Sequence, residues 1–338
     1  MRTGIASAVT RVILLLLIAA GAARAQTVEM ETGNAASMTN LVPQMLAETL
    51  RAEGIDLRIE PNRTLTRSAL RLAAGEIDAA IVPPLTFIAM SRGDGPFRTA
   101  AEQASEASQA LRSLFLFPAG IYQPIVWARS DVREWPDMKG KRVFVGPPAG
   151  AANQQIEGLL RLAGDLEPFR DYEPVRLRWA AAIQAFRDDT VDVLVIALPS
   201  GAAAVDELAA SRPIRILGVP PDVVASEAWN VYLRRTGQVN ATLSPEAYNG
   251  PVEMDGPLDL PANPMAFAVS ADMDDELAHA LTRTFWDNLD VYTETIGFLD
   301  QIDPADPFRA TTIPLHPGAM RYYNEAGINI PRELKPTR

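Results

Sequence analysis

The 338-residue sequence contains no cysteine and only two histidines, His279 and His316. The first absence excludes disulfides, a lipid-modified N-terminal cysteine and every cysteine metal site. The second leaves too little for a histidine metal cluster, and without a thiol no Cys/His pair can be assembled. No apolar run reaches the roughly 20 residues that a bilayer span needs. A Gly-x-x-x-x-Gly-Lys phosphate loop is also missing. Ser200, in Pro199-Ser200-Gly201, lacks the Gly-x-Ser-x-Gly frame of a nucleophile turn. Neither a catalytic set nor a metal or cofactor site is therefore expected. Basic residues are the minority, 31 against 42 acidic, for a formal charge of −11. That balance speaks against nucleic acid or an anionic membrane surface as partner. It leaves an anionic ligand open, because helix N-termini can set the field inside a cleft.

What is present begins with a leader. Residues 1–25 carry Arg2 and Arg11, an apolar core over residues 12–20, and Ala23-Arg24-Ala25 before Gln26. This is the layout of a cleavable signal peptide, and it predicts a periplasmic, water-soluble mature chain. With its three arginines gone, 28 basic and 42 acidic residues remain, formally about −14. The remaining length suits two domains, and an apolar content of 48% supplies a large core.

Helix and strand signals alternate after the leader. Strands are predicted at 27–31, 57–60 and 77–82. Between them lie a helix at 38–51, with Val42, Met45, Leu46 and Leu50 on one face, and a helix at 66–74 stopped by Gly75. Thr39 or Asn40 is the predicted cap of the first helix, with Pro43 near its first turn. The same order returns with strands at 143–145, 175–179 and 191–197 and helices from Gln154 and at 181–187. Residues 72–82 and 186–196 echo each other as helix, tight turn and strand with an aspartate near the strand's start. The expected fold is α/β, two Rossmann-like lobes joined by a hinge around a ligand cleft. Lobe I takes residues 26–120 and 265–338, and lobe II takes 121–264. The chain should cross first near residues 113–120 and return near 261–267, ahead of a helix at 274–289. A last short helix is expected at 317–326.

Ligands of open α/β sheets sit beyond the carboxyl ends of the strands. Four loops there supply candidate binding residues: Thr32, Gly33, Asn34 and Ser37; Pro83 and Thr86; Gly146, Pro148, Ala149, Gly150 and Ala151; and Pro199, Ser200 and Gly201. The third loop is richest in glycine and proline and leads directly into a helix, which suits an anion or a polar small molecule. Tyr122 and Gln123, with Trp229 and Tyr248, are candidates for a stacking or hydrogen-bonding wall. Arg63 and Arg92 are weighed as carboxylate partners against the plainer role of solvated surface cations.

Four stretches also resemble the TAXI family, the extracytoplasmic solute-binding subunits of TRAP transporters. They are Thr32-Gly33; Asp137-x-Lys139-Gly140-Lys141-Arg142-Val143-x-Val145-Gly146; residues 186–201 around Val191-Asp192; and His316-Pro317-Gly318-Ala319-Met320-Arg321-Tyr322-Tyr323-x-Glu325-x-Gly327, the most specific. The resemblance spans nearly all of the mature chain. It implies a two-lobe, type II-like periplasmic binding protein, monomeric, that hands a small molecule, by default a carboxylate, to TRAP transporter membrane subunits. In this reading His316, Tyr322 and Tyr323 fix the last helix rather than touch ligand. The sequence departs from the family where contacts are expected. Ala35-Ala36-Ser37-Met38-Thr39 replaces a glycine-rich, tyrosine-containing stretch, Pro83-Pro84 a polar triplet, and Ala149-Gly150-Ala151 a Ser-Gly-Thr loop. A ligand less polar than glutamate is expected. A sensor docking on a membrane receptor kinase, and an enzyme on the same scaffold, are the alternatives.

Overall fold

The computed structural model describes residues 26–148 and 151–336. The predicted leader and two candidate residues, Ala149 and Gly150, lie outside them. Among the described residues no helix is long and apolar enough to cross a membrane.

The first half of the chain runs β1 (Gln26–Glu31), α1 (Met38–Arg51), β2 (Ile55–Glu60), α2 (Leu65–Ala73), β3 (Ala79–Val82), α3 (Pro84–Arg92) and α4 (Ala101–Ser108) into the long β4 (Leu111–Trp127). The second runs β5 (Arg142–Phe144), α5 (Ala151–Gly164), β6 (Glu173–Val175), α6 (Trp179–Arg187), β7 (Val193–Leu198), α7 (Ala203–Ser211) and β8 (Ile214–Ile216). It continues through α8 (Pro221–Val224), α9 (Glu227–Thr236), β9 (Val239–Leu243) and β10 (Val252–Glu253) to a second long strand, β11 (Leu258–Ser270). Three helices close the chain: α10 (Asp275–Asp287), α11 (Leu289–Thr295) and α12 (Pro317–Glu325).

The strand order β2-β1-β3-β11-β4-β7-β5-β6 makes one sheet with two characters. β1 pairs β2 and β3 in parallel, and β5 pairs β6 and β7 in parallel. Between these sets β4 and β11 run antiparallel to each other. Each long strand serves both halves. Residues 266–269 of β11 pair β3, whereas residues 258–262 pair β9. The start of β4 pairs only β11 in the sheet, and residues 121–127 pair β7 and β8. At the changeover the register slips. Ile121 faces Ala262 and Gly120 faces Asn263, but the next partners are Pro118 and Pro264. Two prolines remove ladder donors at this bulge, which bends the strands there. The result is a two-lobed α/β fold, as the alternation of elements predicts.

Both helices of the first parallel unit obey their apolar spacing. Val42, Leu46 and Leu50 are buried along α1, and Ala69 and Leu72 along α2, which Gly75 ends at φ +70°. The cap of α1 is a correction. Ser37 is the residue before the helix, and Thr39 and Asn40 lie inside its first turn. Asn40 is engaged elsewhere, accepting from the Thr32 hydroxyl at 2.7 Å and donating to the Ala35 carbonyl at 2.9 Å. Pro43 is the sixth helical residue, deeper than predicted, and has no N–H for the Thr39 carbonyl. A second correction concerns 175–179: the strand is Glu173–Val175 and a helix already begins at Trp179. The indole packs edge-on against Phe144 with centroids 5.4 Å apart, so the residue is part of the helix–sheet layer rather than of a strand. The helix expected over 274–289 breaks at Asn288, after Asp274 caps its start by accepting from the Leu277 amide at 3.0 Å.

The C-terminal helices pack on the first half of the sheet. Phe285 of α10 stacks on Phe115 of β4 at 3.8 Å between centroids, and Phe267 of β11 adjoins it. α12 lies across α10 at Gly318, where a side chain would meet the Asp275 carbonyl and the His279 amide. His316 is fully buried and caps α12 as the sequence motif suggests, its Nδ1 accepting from the Gly318 amide at 3.1 Å. Tyr323 is buried too, and its hydroxyl donates to the Leu114 carbonyl at 2.9 Å.

Candidate functional site

Where the two halves face each other there is a small, partly open cavity of about 20 Å³, room for roughly one water. One side of it comes from the first half: Thr66 of α2, Leu85, Thr86 and Ala89 of α3, and Pro96 with Phe97 just beyond. The other side comes from the second half, through Ala151 and Gln154 of α5. These three helices follow β2, β3 and β5, so the cavity lies at carboxyl ends of parallel strands. Each helix begins at the cavity. Thr66 is the second residue of α2, Leu85 and Thr86 are the second and third of α3, and Ala151 is the first of α5. First-turn amides have no acceptor within their own helix, and the helix dipole adds positive potential at that end; in α3, however, Pro84 has no N–H and the Thr86 amide donates to the Pro83 carbonyl at 2.9 Å. None of the eight lining residues carries a charge. Thr86 is 2% exposed, and its hydroxyl has no hydrogen-bond partner among the described residues.

The halves touch around this cavity. Gly95 abuts the carboxamide of Gln154, and Gly237, which ends α9 at φ +65°, abuts Pro84 and the Leu85 amide. A side chain at Gly237 would press on Pro84 and the Leu85 backbone, one at Gly95 only on the movable end of Gln154, and both glycines have a left-handed backbone that favours glycine on its own account.

Of the residues expected to bind, Thr86 and Ala151 line the cavity. Pro83 is buried immediately before α3. Gly146 is buried at φ +99°, where a Cβ would lie 2.8 Å from that of Ala152. Its neighbour Val145 accepts from Asn153 Nδ2 at 2.6 Å, which ties the loop to the first turn of α5. Pro148 is exposed. The β1–α1 loop is held by its own bonds: the Thr32 hydroxyl donates to Asn40 Oδ1, the Ser37 hydroxyl to the Asn34 carbonyl at 2.7 Å, and the Ala36 amide to the Asn34 carboxamide oxygen at 2.9 Å. Gly33 packs against Thr39 and Leu65, and Asn34 is exposed.

Tyr122 and Gln123 are both buried and fully engaged. The Tyr122 hydroxyl donates to Gln155 Oε1 at 2.9 Å, and burial pushes the phenol above its ordinary pKa. Gln155 in turn donates to the Thr236 carbonyl at 3.2 Å, and its own carbonyl accepts from Tyr232 at 2.9 Å. Gln123 Nε2 donates to the Leu198 carbonyl at 3.2 Å, and its Oε1 accepts from Tyr248 at 2.7 Å. That pair braces the Pro199-Ser200-Gly201 loop, where Gly201 sits beside the Ala247 carbonyl. Trp229 stacks on Tyr232 at 5.6 Å. These groups form a polar frame behind the strand ends, and none is among the cavity's lining residues. Arg63 is committed to Glu60 and, at 3.7 Å, to the buried Glu31, while Arg92 is exposed.

Thr66, Phe97 and Gln154 escape the sequence reading. Applying the strand-end rule to the loop after β2 would have found Thr66. Gln154 was legible only as the start of a helix, and nothing local marks Phe97.

Two α/β halves that share two long strands and meet over three helix starts define a two-lobed α/β fold with a small cavity where the halves meet. The chain belongs to the NMT1-like family, whose sequence model matches residues 44–327. Among solved structures it is similar to the periplasmic aliphatic sulphonate binding protein SsuA from Escherichia coli, with 13% identity, 93% of each chain covered and a TM-score of 0.46. It is similar also to a TRAP periplasmic solute binding protein from Sulfitobacter sp. NAS-14.1 with bound β-D-galacturonate, at 11% identity, 90% and 87% coverage and a TM-score of 0.46. A third is a putative sulfonate-binding SsuA from Methylobacillus flagellatus KT, at 12% identity, 93% and 81% coverage and a TM-score of 0.48.

Proposed function

We propose that the protein is a periplasmic solute-binding protein of the TAXI kind. It captures a small organic acid or amino acid between two lobes and delivers it to the membrane subunits of a TRAP transporter. Lobe I is residues 26–120 with 265–338, and lobe II is residues 121–264. The observation that carries this reading is the cavity itself: helix starts from both halves converge on one small space whose wall holds a buried hydroxyl with no partner among the described residues. A ligand there touches both lobes at once and so stabilises their closed arrangement, with the bulge at Pro118 and Pro264 as the hinge. The TAXI assignment and the TRAP partner come from the sequence motifs, the signal peptide and periplasm from residues 1–25, and the candidate contacts of the four loops from the strand-end rule. Each lobe supplies a surface that a transporter can read only when the lobes are closed.

A thermal-shift screen of refolded mature protein against organic acids, amino acids and sugars, with calorimetry on each hit, tests the reading. A saturating solute at about 100 times its dissociation constant adds roughly 2.7 kcal/mol, or a few degrees at this size. One unaltered molecule bound per chain is the expected result. Chemical turnover of a hit would contradict it.

A further inference from the structure

We propose that the surface just before β6 is a self-association site, through which two copies of this chain form a two-fold dimer with Phe169 of each seated in a depression on the other. This departs from the monomer expected of the sequence, and it does not depend on the solute-binding reading. Phe169 is 76% exposed, more than any other large apolar side chain among the described residues. Its backbone sits at φ +63°, a left-handed conformation in which a bulky residue is an outlier. A lone exposed apolar residue is ordinary; one that also holds such a backbone beside a depression is not. The turn that carries it is fixed. The Phe169 amide donates to the Tyr172 carbonyl at 2.9 Å, the Asp171 amide to the Glu167 carbonyl at 2.9 Å, and the Gly140 amide to the Asp171 carbonyl at 2.7 Å. The Arg176 guanidinium lies 5.7 Å from the centroid of the ring and is itself held by Glu157 at 2.6 Å. The ring is therefore presented to solvent in a set place, at a cost in backbone strain and in apolar exposure, and a covering surface removes the second cost.

Beside the ring is a shallow, open depression of about 270 Å³, lined by Gly140, Arg170, Asp171, Tyr172 and Glu173 with Phe169 itself. A closed apolar cavity of roughly 150 Å³ already takes benzene, so a second phenyl ring fits. A knob beside a hole is self-complementary under a two-fold axis, where the same patch serves on both copies. Charge points to the same occupant. Without the leader the chain carries about −14, which drives copies apart over most of the surface, yet this patch is balanced. Lys139, Arg170 and Arg176 stand against Glu167, Asp171 and Glu173. Lys139 at 3.6 Å and Arg170 at 2.6 Å share the one Asp171 carboxylate. The exposed Glu173 of a second copy supplies the carboxylate that this pair of cations lacks. β6 is an end strand of the sheet, but Pro174 in its middle has no N–H for strand addition, which leaves side-chain contact as the mode of association. The patch lies at the amino ends of β5 and β6, whereas the cavity lies at carboxyl ends, so a dimer formed here leaves the cleft open.

The test is sedimentation velocity of the refolded mature protein from about 1 µM to about 1 mM, with melting temperature measured at the dilute end. The parent should pass from monomer to dimer as concentration rises, and go no further. Phe169→Asn should weaken association at least about tenfold while holding or raising the melting temperature of the monomer, because asparagine accepts the left-handed backbone. A Phe169 that only supports the fold would lower that temperature when replaced. Glu173→Lys should weaken the dimer as well, by setting a cation against Lys139 and Arg170 of the other copy. A parent that stays monomeric over the whole range overturns the proposal and leaves Phe169 to a different partner. So does a dimer whose association neither substitution changes, since it then forms through another surface.

Discussion

Gly120 stands where β4 passes beneath the end of β7, and a Cβ there would lie 2.9 Å from the Leu198 nitrogen and 3.0 Å from the Ala197 carbonyl carbon. Both obstacles are backbone, so neither can rotate away. Gly120→Ala should therefore cost about 1–3 kcal/mol, read from the midpoint of urea unfolding. His316 gives a second test at this scale. Burial holds its imidazole below the ordinary histidine pKa, outweighing Asp275 at 3.7 Å. Nδ1 accepts from Gly318, so the proton of the neutral ring is on Nε2. Because the folded-state pKa is depressed, His316 favours the fold fully only above its unfolded pKa of about 6.5. Its contribution declines as pH falls below that value toward the folded pKa. His316→Asn keeps an acceptor at the cap but cannot titrate there. Its unfolding free energy should fall less steeply from pH 7 to pH 5 than the parent's, in parallel urea titrations. The cap was legible from the motif around His316. The depth of its burial was not, since it depends on α10 and β4, far away in sequence.

At the scale of elements, the echo between residues 72–82 and 186–196 has a physical basis. Asp78 exchanges hydrogen bonds with Glu29 of β1, its amide to the carbonyl at 3.0 Å and its carboxylate from the amide at 2.8 Å. Asp192 does the same with Arg142 of β5, at 2.9 and 2.8 Å. In each half an aspartate side chain takes the place of a ladder partner just before its strand begins. That is why β3 and β7 start two residues later than the apolar run suggests. The Arg142 guanidinium also pairs with Asp192 and holds its carboxyl below the usual carboxylate range. Asp192→Asn should cost about 1 kcal/mol at neutral pH, discounted for the pair's partial exposure. The folded-state pKa lies below the unfolded value of about 3.9, so this difference should be full above about pH 4 and vanish as pH falls through the folded pKa. Stability curves of parent and variant that stay equally far apart at pH 2.5 would refute the assignment. Helix and strand periods made α1, α2, α5 and the parallel units readable. Trp179 misled, because a large aromatic suits a strand and a helix facing a sheet equally well.

For the whole molecule, the two changeover segments were visible as Pro118-Ala119-Gly120 and the stretch near Pro264. Their pairing in one bulge follows only from the register of β4 against β11. The site was half legible for the same reason. Strand ends point to the loops, and Thr86 and Ala151 are at the cavity. Which loops actually meet is decided by how the lobes close, and that brings in Thr66, Phe97 and Gln154. The central claim is that a solute bridges the lobes and holds them closed. The absence of native cysteine makes the test clean. Spin labels on Gln103→Cys in α4 and Ala210→Cys in α7, both exposed, would report the interlobe distance by pulsed electron resonance. The account predicts a broad or two-peaked distribution in the ligand-free refolded protein that collapses to a single narrow peak on saturation with the bound solute. An identical distribution with and without bound solute would contradict it.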